Sequence, residues 1–368
     1  MKNILIPFVT LYLSLPLFAA AKKDDALYFP SAKGEWARID PAKNGWNPAK
    51  LKEFMDYAGK NKSSGVVILY RGRILAEQYW PLTAPEKTSN GQRNPYFHMR
   101  LGKDSKGRAI EDVASAQKSV TAMLVGIAQH KGLLKIKDPV HKYLGKGWSK
   151  APAAAEAKIT IRHLITMSSG LNPRLQFVAP AGTKWFYNTG AYSKALTCVS
   201  KAAKMDANEL TKKWLTGPLG MNDSRWAVRP WQTSVRTDAN RYGFATTARD
   251  LARFGILMLA NGNWEKKNVI EDKAYIKAAI SPSQKLNPSY GYLWWLNGGP
   301  FVARAGGQKK QGRLIPAAPK DMYAAQGKLN RRLYVLPTHQ VVITRLGDQP
   351  SNSFNTEFFK RLRLAKGK

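Results

Sequence analysis

The chain has 368 residues and carries 59 Lys and Arg against 24 Asp and Glu, a formal net charge of +35. This length allows an enzyme with a large core, and 44% hydrophobic with 11% aromatic residues is ordinary for a globular protein. The single cysteine, Cys198, excludes an internal disulfide and a cysteine metal cluster. The five histidines have no metal-ligand spacing, so we expect no metal and no other cofactor.

The excess positive charge is scattered along the chain rather than gathered into blocks. Such a surface binds polyanions through the release of their counterions. No helix-turn-helix, zinc-finger or RNA-binding signature accompanies the charge, so we expect no specific nucleic-acid partner. An anionic cell envelope or an acidic substrate fits the charge better, and a basic bias shared by all proteins of the same cell accounts for it equally well.

Residues 1–21 have the form of a secretory signal peptide. One lysine precedes an apolar run from Ile4 to Phe18, and Ala19-Ala20-Ala21 has the small-residue pattern that signal peptidase cuts. The run is short for a membrane span and is followed at once by charged residues. We therefore expect a periplasmic or secreted protein that begins near Lys22 and has no transmembrane segment. Loss of Lys2 with the signal peptide would lower the net charge from +35 to +34. An uncleaved membrane anchor is the alternative.

Both ends of the chain carry strand signals next to helix signals. At the N-terminal end, Asn47-Pro48 opens a predicted helix, Gly65 to Tyr70 is a predicted strand and Arg73 to Trp80 is its antiparallel partner. The C-terminal end is predicted to contain a strand at Tyr290 to Leu296, a hairpin of Leu333 to Leu336 with Val341 to Leu346, and a basic helix at Ser353 to Leu364.

This order predicts an α+β fold in which one antiparallel sheet is built from both chain ends and flanked by helices. The sheet region is predicted to comprise residues 22–100 and 285–368. Between them, residues 101–284 carry mainly helix signals and predict an inserted all-helical region, which contains the helix of the candidate nucleophile.

The first candidate catalytic motif is Ser115-Ala116-Gln117-Lys118, the only Ser-x-x-Lys of the chain. On a helix these two side chains lie one turn apart, so the amine can reach the hydroxyl. The amine can accept the serine proton only if burial or a neighbouring cation keeps it partly uncharged. Asp112 is the predicted N-cap, which puts Ser115 in the first turn, where free N–H groups favour an oxyanion. The alternative is a cap beside a solvated charge.

Two later stretches carry further candidate residues. Tyr187 stands in Trp185-Phe186-Tyr187-Asn188-Thr189-Gly190 and could accept a proton if flanking lysine charge stabilises its phenolate. In Gly327-Lys328-Leu329-Asn330-Arg331 a glycine and a lysine begin a predicted edge strand. That strand could offer a backbone N–H to an oxyanion and a cation to a substrate carboxylate.

In this order, the three motifs resemble those of the serine β-lactamase-related hydrolases. This group contains class C β-lactamases, D-alanyl-D-alanine carboxypeptidases, family VIII esterases and 6-aminohexanoate-dimer hydrolases, and the resemblance covers nearly all of the mature chain. Its fold is the β-lactamase/transpeptidase-like fold. Supporting stretches are Thr160 to Leu171, Thr247 to Gly255 and Tyr290 to Trp295.

The resemblance assigns a role to each candidate residue. It implies that Ser115 is the acylated nucleophile, Lys118 its proton partner, and Tyr187 the general base for both acylation and deacylation. It further implies an oxyanion hole made by the N–H groups of Ser115 and Arg331. The remaining substrate-binding positions that it implies are Lys328 and Asn188.

Two departures from the family pattern bear on the substrate. The family's Tyr-x-Asn would place an asparagine at Thr189, whereas here the asparagine is Asn188, as in the branch nearer the 6-aminohexanoate-dimer hydrolases. Lys-Thr-Gly is replaced by Lys328-Leu329-Asn330, which removes a glycine and a hydroxyl that would face a β-lactam carboxylate. Both departures weaken the β-lactamase interpretation.

The sequence therefore predicts an exported serine hydrolase that acts through an acyl-enzyme on a short ester or a linear amide. The segment from Val302 to Lys320 is basic, with no acidic residue until Asp321, and we expect a cationic loop at the cleft rim that favours a carboxylate-bearing substrate. One alternative is a β-lactamase or D-alanyl-D-alanine peptidase acting on cell-wall peptides. Another is a catalytically silent envelope protein that binds an anionic glycan or lipid.

Overall fold

The computed structural model describes residues 26–229, 241–304 and 308–367. The predicted signal peptide at 1–21 lies outside these residues. Within the three described ranges, no helix is long and apolar enough to cross a membrane.

The strands of the described chain are numbered in order. They are β1 (Ser63–Tyr70), β2 (Arg73–Tyr79), β3 (Arg100–Lys103), β4 (Ala109–Asp112), β5 (Arg225–Val228), β6 (Tyr242–Thr246), β7 (Asn263–Trp264), β8 (Lys267–Asn268), β9 (Trp295–Leu296), β10 (Phe301–Ala303), β11 (Lys309–Gln311), β12 (Tyr323–Gly327), β13 (Arg331–Leu336) and β14 (Val341–Gly347).

The α-helices are numbered in the same way. They are α1 (Pro48–Lys60), α2 (Pro95–Met99), α3 (Gln117–His130), α4 (His141–Leu144), α5 (Ala153–Glu156), α6 (Ile161–Ile165), α7 (Thr189–Ala203), α8 (Ala207–Thr211), α9 (Gly217–Leu219), α10 (Ala248–Leu259), α11 (Lys273–Ala279) and α12 (Phe354–Ala365).

The main sheet has six strands in the order β2-β1-β14-β13-β12-β9, and each neighbouring pair is antiparallel. Strands from the two ends of the chain meet where β1 pairs with β14, with Ile68 opposite Ile343. A turn at Arg71-Gly72 joins β1 to β2, and the predicted hairpin that joins β13 to β14 is present. The prediction of one antiparallel sheet built from both chain ends is therefore confirmed.

Helices cover both faces of this sheet. On one face α1 and α12 pack together through Phe54 and Phe358, whose ring centroids are 4.3 Å apart, and bury the side chain of Ile68. On the other face α10 lies so close to β14 that a Cβ at Gly255 would stand 2.4 Å from Val342 Cγ1. The residues of β1 alternate between the two layers, as a central strand requires.

The inserted region differs from the prediction because it is not purely helical. It contains most of a four-stranded antiparallel sheet in the order β3-β4-β6-β5. Its strands are four or five residues long, and β4 pairs with β6 across more than a hundred residues of chain. Short segments paired at such distance have no local signal, since pairing depends on partners far away in sequence.

The predicted strand at Tyr290 to Leu296 is also shorter in the structure, where only Trp295–Leu296 is a strand. Leu293 has a φ of 59°, which breaks the extended backbone, and its N–H donates to Ile165 O at 2.9 Å. The apolar core runs through both predicted regions, because Val67 of the sheet packs in the same cluster as Leu124 of α3. The division at residues 100 and 284 stays a prediction.

Candidate active site

Ser115 lies in a single 3₁₀ turn, Ala114–Ala116, between β4 and α3. The preceding Ala114 has a φ of 50°, in the left-handed region, which costs a residue with a side chain roughly 1–2 kcal/mol. The Asp112 carboxylate accepts the Ala114 N–H at 2.8 Å and holds this conformation. Asp112 therefore caps the nucleophile turn itself. The prediction that Asp112 is the N-cap of a helix with Ser115 in its first turn is wrong, because α3 begins only at Gln117.

Two consecutive buried carboxylates fix this turn to the rest of the fold. Glu111 accepts hydrogen bonds from Arg331 Nε at 2.9 Å and from the Gly347 N–H at 3.1 Å, which ties β4 to the main sheet. Asp112 pairs with Arg229, whose Nη2 lies 2.8 Å from Asp112 Oδ1 and 3.1 Å from Gln117 Oε1. Removing either partner of such a pair would leave an uncompensated buried charge, so both pairs constrain the position of the nucleophile.

Lys118 lies where the motif predicts, with its Nζ 3.0 Å from Ser115 Oγ. Lys118 is buried, with only 2% of its surface exposed. Burial, assisted by the nearby Arg229 charge, lowers the pKa of Lys118 from 10.5 to about 7. A large fraction of this amine is therefore uncharged near neutral pH and can accept the hydroxyl proton.

Tyr187 completes the group around the Ser115 hydroxyl, because its hydroxyl is close enough to interact with the Ser115 side chain. The Lys118 Nζ lies 4.9 Å from the centre of the Tyr187 ring and 4.3 Å from that of Tyr192. Burial raises the pKa of Tyr187 far above its ordinary value, although the interaction with Ser115 opposes the rise. The expectation of a tyrosine phenolate is therefore not met, because the hydroxyl stays protonated at neutral pH.

Asn188 is not positioned for substrate binding. It is the N-cap of α7, where its Oδ1 accepts the Ala191 N–H at 3.1 Å, and its Nδ2 donates to Leu171 O at 2.7 Å and Asn172 O at 2.9 Å. With 1% exposure and its amide engaged on both sides, it shapes the backbone after Tyr187. The predicted substrate-binding role of Asn188 is wrong, and Thr189, the next residue, lines the cavity beside Ser115 instead.

The structure separates the two predicted residues of the third motif. Lys328 is exposed and lines the same cavity as Ser115, as predicted. Arg331 is wholly buried, and its guanidinium is used by Glu111. Its backbone N–H donates to Lys328 O within a second 3₁₀ turn, Lys328–Asn330, so it cannot also hold an oxyanion. The predicted oxyanion role of Arg331 is wrong.

The part of the main sheet that approaches the nucleophile turn is the end of β12. A Cβ at Gly327 would lie 2.1 Å from Val113 O and 3.3 Å from Ala114 Cβ, so only glycine allows this approach. The strand ends there because Leu329 and Asn330 adopt left-handed conformations, with φ of 60° and 57°. This early turn is the physical reason that Arg331 falls on the next strand.

A cavity of about 460 Å³ opens beside Ser115. It is bounded by the nucleophile turn, the start of α3, the segment around α2 and the turn after β12. Its lining contains several basic side chains, and no Asp or Glu of the described chain lines it. The lining residues are Arg93, Pro95, His98, Met99, Ala114, Ser115, Gln117, Lys118, Thr189, Arg229 and Lys328.

A family model described as Beta-lactamase matches residues 49–364. The chain belongs to the beta-lactamase family. An uncharacterized protein of Alkalihalophilus pseudofirmus is 24% identical over 322 residues, which cover 81% of this chain and 86% of that protein. Penicillin-binding protein 4* of Bacillus subtilis is 24% identical over 176 residues, which cover 40% of this chain and 37% of that protein.

Solved structures share the beta-lactamase-family fold. A protein from Bacillus anthracis that is provisionally described as a 6-aminohexanoate-dimer hydrolase has a TM-score of 0.63 and 17% identity, covering 93% of this chain and 88% of its own. A β-lactamase from Mycobacterium bovis has a TM-score of 0.58 and 13% identity, covering 86% of this chain and 100% of its own. The predicted fold class and family are therefore confirmed, and this chain is a member of a hydrolase family.

Sequence reasoning missed several residues that shape this beta-lactamase-family site. Gly327 stands in the motif, but its close approach to Val113 depends on how two distant segments meet. Arg229 contacts Asp112 from more than a hundred residues away and carries no local signal. Asn188 has an N-cap pattern, so its role in capping α7 can be predicted from the sequence.

Proposed function

We propose that this chain is an exported serine hydrolase that acylates Ser115 with a short ester or a linear amide. The observation that carries the proposal is the 3.0 Å contact between Ser115 Oγ and a buried lysine amine whose pKa is lowered to about 7. A hydroxyl beside an uncharged amine, in a solvent-reaching cavity, is an activated nucleophile. A structural serine would not need a buried lysine, since burying an ammonium is costly unless it has a function.

In acylation, uncharged Lys118 takes the Ser115 proton as Oγ attacks the substrate carbonyl. The Ser115 N–H and a backbone N–H from the segment Gly327 to Leu329, at the end of β12, donate to the developing oxyanion and stabilise it. Tyr187, protonated and next to Ser115, relays the proton to the leaving alcohol or amine. In deacylation the same groups act on water, which releases the acid and returns the proton to Ser115.

The turn after β12 supports an ester or linear amide rather than a β-lactam. Leu329 occupies the position of the family's threonine, is buried and has left-handed backbone, so it offers no hydroxyl to a β-lactam carboxylate. The side-chain contact between Lys118 and Ser115 supports a catalyst over a silent envelope-binding protein, because a binding protein has no use for a lysine held uncharged. Export rests on the signal pattern of residues 1–21.

The experiment is a hydrolysis panel of p-nitrophenyl esters, short linear amides, D-alanyl-D-alanine peptides and a cephalosporin, run on the mature chain and on Ser115→Ala. We expect turnover of esters or amides that is abolished in the variant, while the variant keeps the fold, because a serine in this turn contributes little to stability. Efficient cephalosporin hydrolysis would favour the β-lactamase alternative, and activity retained by Ser115→Ala would exclude Ser115 as the nucleophile.

A further inference from the structure

A second cavity, of about 220 Å³, lies beside a basic hairpin formed by β10 and β11. This hairpin belongs to the cationic segment 302–320, and it does not line the cavity at Ser115. Three of the walls are apolar, two are cationic and one is a glutamine. The lining residues are Trp295, Val302, Arg304, Lys310, Leu314 and Gln326.

The two faces of the hairpin differ. Val302 is paired with Lys310 in the register, and both side chains line the cavity. Ala303 is paired with Lys309, so that pair points to the opposite face, where Lys309 Nζ lies 5.1 Å from the centre of the Phe301 ring. Arg304, two residues after Val302, lines the cavity with Lys310. The hairpin therefore directs two exposed cations into the cavity and one away from it.

The cavity adjoins the site at Ser115 through two shared elements. The ring of Trp295 forms one of its walls and also stacks on Tyr187, with centroids 5.9 Å apart. Gln326 forms another wall, and the next residue is Gly327, which touches the nucleophile turn. The residue that lines the cavity and the residue that touches the nucleophile turn are therefore neighbours on β12.

The strand edge between the two cavities is open in the described chain. There, β9 pairs with β12 at Tyr323 and Ala324 only. Ala325 to Gly327 continue toward the nucleophile turn without a paired strand on that side among the described residues. A linear substrate held at Ser115 can therefore extend along this edge to the hairpin.

We propose that the hairpin cavity is a carboxylate-binding subsite for linear substrates of the Ser115 site. The proposal rests on the proposed function, and it names the substrate class: an ester or amide with a free carboxylate remote from the scissile bond. Arg304 and Lys310 bind the carboxylate by charge-assisted hydrogen bonds. The apolar walls of Trp295, Val302 and Leu314 contact the methylene chain that leads to it.

The lining of the cavity supports an anion over a neutral or cationic group. None of its lining residues is acidic, and no ion pair within the described chain engages Arg304 or Lys310. A carboxylate placed between them gains two cationic partners at once. A cationic group would meet like charge, and a neutral group would leave the cations with water alone.

The test compares p-nitrophenyl half-esters of dicarboxylic acids, in a series of increasing length, with the methyl-capped diesters of the same acids. The measured quantity is the ratio of kcat/KM for the charged ester to that for its neutral partner. We expect the ratio to fall by roughly tenfold in Arg304→Gln/Lys310→Gln, because each charge-assisted contact at an exposed site contributes about a factor of three. The matched control is Lys309→Gln, which removes a neighbouring cation from the other face and should keep the wild-type ratio.

A second series of esters carries the carboxylate on the leaving alcohol instead of the acyl chain. A lower ratio of charged to neutral kcat/KM in Arg304→Gln/Lys310→Gln, in either series, supports the subsite. The inference is overturned if the double variant keeps the wild-type ratio in both series, or if Lys309→Gln lowers it equally. Failure of the proposed function looks different, because the wild-type protein would then hydrolyse neither the charged nor the neutral ester.

Discussion

Replacing Lys118 by methionine should stabilise the fold at neutral pH while removing activity, because the buried amine opposes folding whenever it can be protonated. The pKa of Lys118 falls from 10.5 to about 7 on folding. A lysine whose pKa is lowered on folding does not oppose folding above its unfolded pKa, here 10.5. Its contribution to the free energy of unfolding decreases as the pH falls below that value and reaches its minimum below the folded pKa of about 7. The wild-type free energy of unfolding should therefore rise with pH across this window.

The size of the effect follows from the same shift. Between pH 7 and pH 9 the unfolded chain holds a proton at this lysine that the folded chain has largely released. Each pH unit then adds about 1.4 kcal/mol to the wild-type free energy of unfolding. Methionine does not titrate, and all other groups are shared, so the stability advantage of Lys118→Met should shrink by about 2–3 kcal/mol from pH 7 to pH 9.

Urea unfolding followed by tryptophan fluorescence at pH 6, 7, 8 and 9 measures this difference directly. Lys118→Leu, an apolar replacement of another shape, is the second variant and should give the same pH slope, since packing changes do not depend on pH. A difference in free energy of unfolding that stays constant from pH 7 to pH 9 in both variants would refute a lysine held largely uncharged.

Three further outcomes follow from the site. Below pH 7 the kcat/KM for a neutral ester should fall about tenfold per pH unit as Lys118 becomes protonated, and a flat profile down to pH 5 would contradict its role as base. Tyr187→Phe should slow hydrolysis of a linear amide, whose leaving amine needs the relayed proton, more than release of p-nitrophenolate from an ester, which leaves without one; equal slowing of both would contradict the relay. Asn188→Ala should lower the free energy of unfolding by about 1–2 kcal/mol through loss of the α7 cap. Unchanged stability with a raised KM would instead support a substrate contact.

The sequence predicts the local part of the site well, because Ser115 and Lys118 are separated by one helical turn and need no distant partner to meet. Tyr187 was also placed correctly beside them, through its position in an ordered set of motifs. Its protonation state could not be predicted, since burial by distant segments decides whether a tyrosine beside a lysine ionises.

The prediction for Arg331 failed for a backbone reason. An oxyanion role for the Arg331 N–H requires β12 to continue as an extended strand past Lys328, but Leu329 and Asn330 adopt left-handed conformations and end β12 early. Left-handed backbone at two residues other than glycine is uncommon, so no rule based on residue type predicts it. The four-stranded sheet of the inserted region was missed for a related reason, because β4 and β6 are short and find each other only in the folded chain.

The main sheet could be predicted because both of its halves carry strong local signals. Residues of β1 and β14 are rich in β-branched side chains, and the turn at Arg71-Gly72 closes the first hairpin. Asn188 shows the limit of a family resemblance. The same residue matched a substrate-binding position by motif and an N-cap by local chemistry, and the structure follows the local chemistry.

Covalent labelling of the folded mature chain with a fluorophosphonate, followed by peptide mass spectrometry, tests whether Ser115 is the nucleophile. We expect one adduct, on the peptide that contains Ser115, formed more slowly at pH 5 than at pH 8 and strongly slowed in Lys118→Met. Folded protein that takes up no label, or that carries the label on another serine while Ser115 stays unmodified, would contradict this expectation.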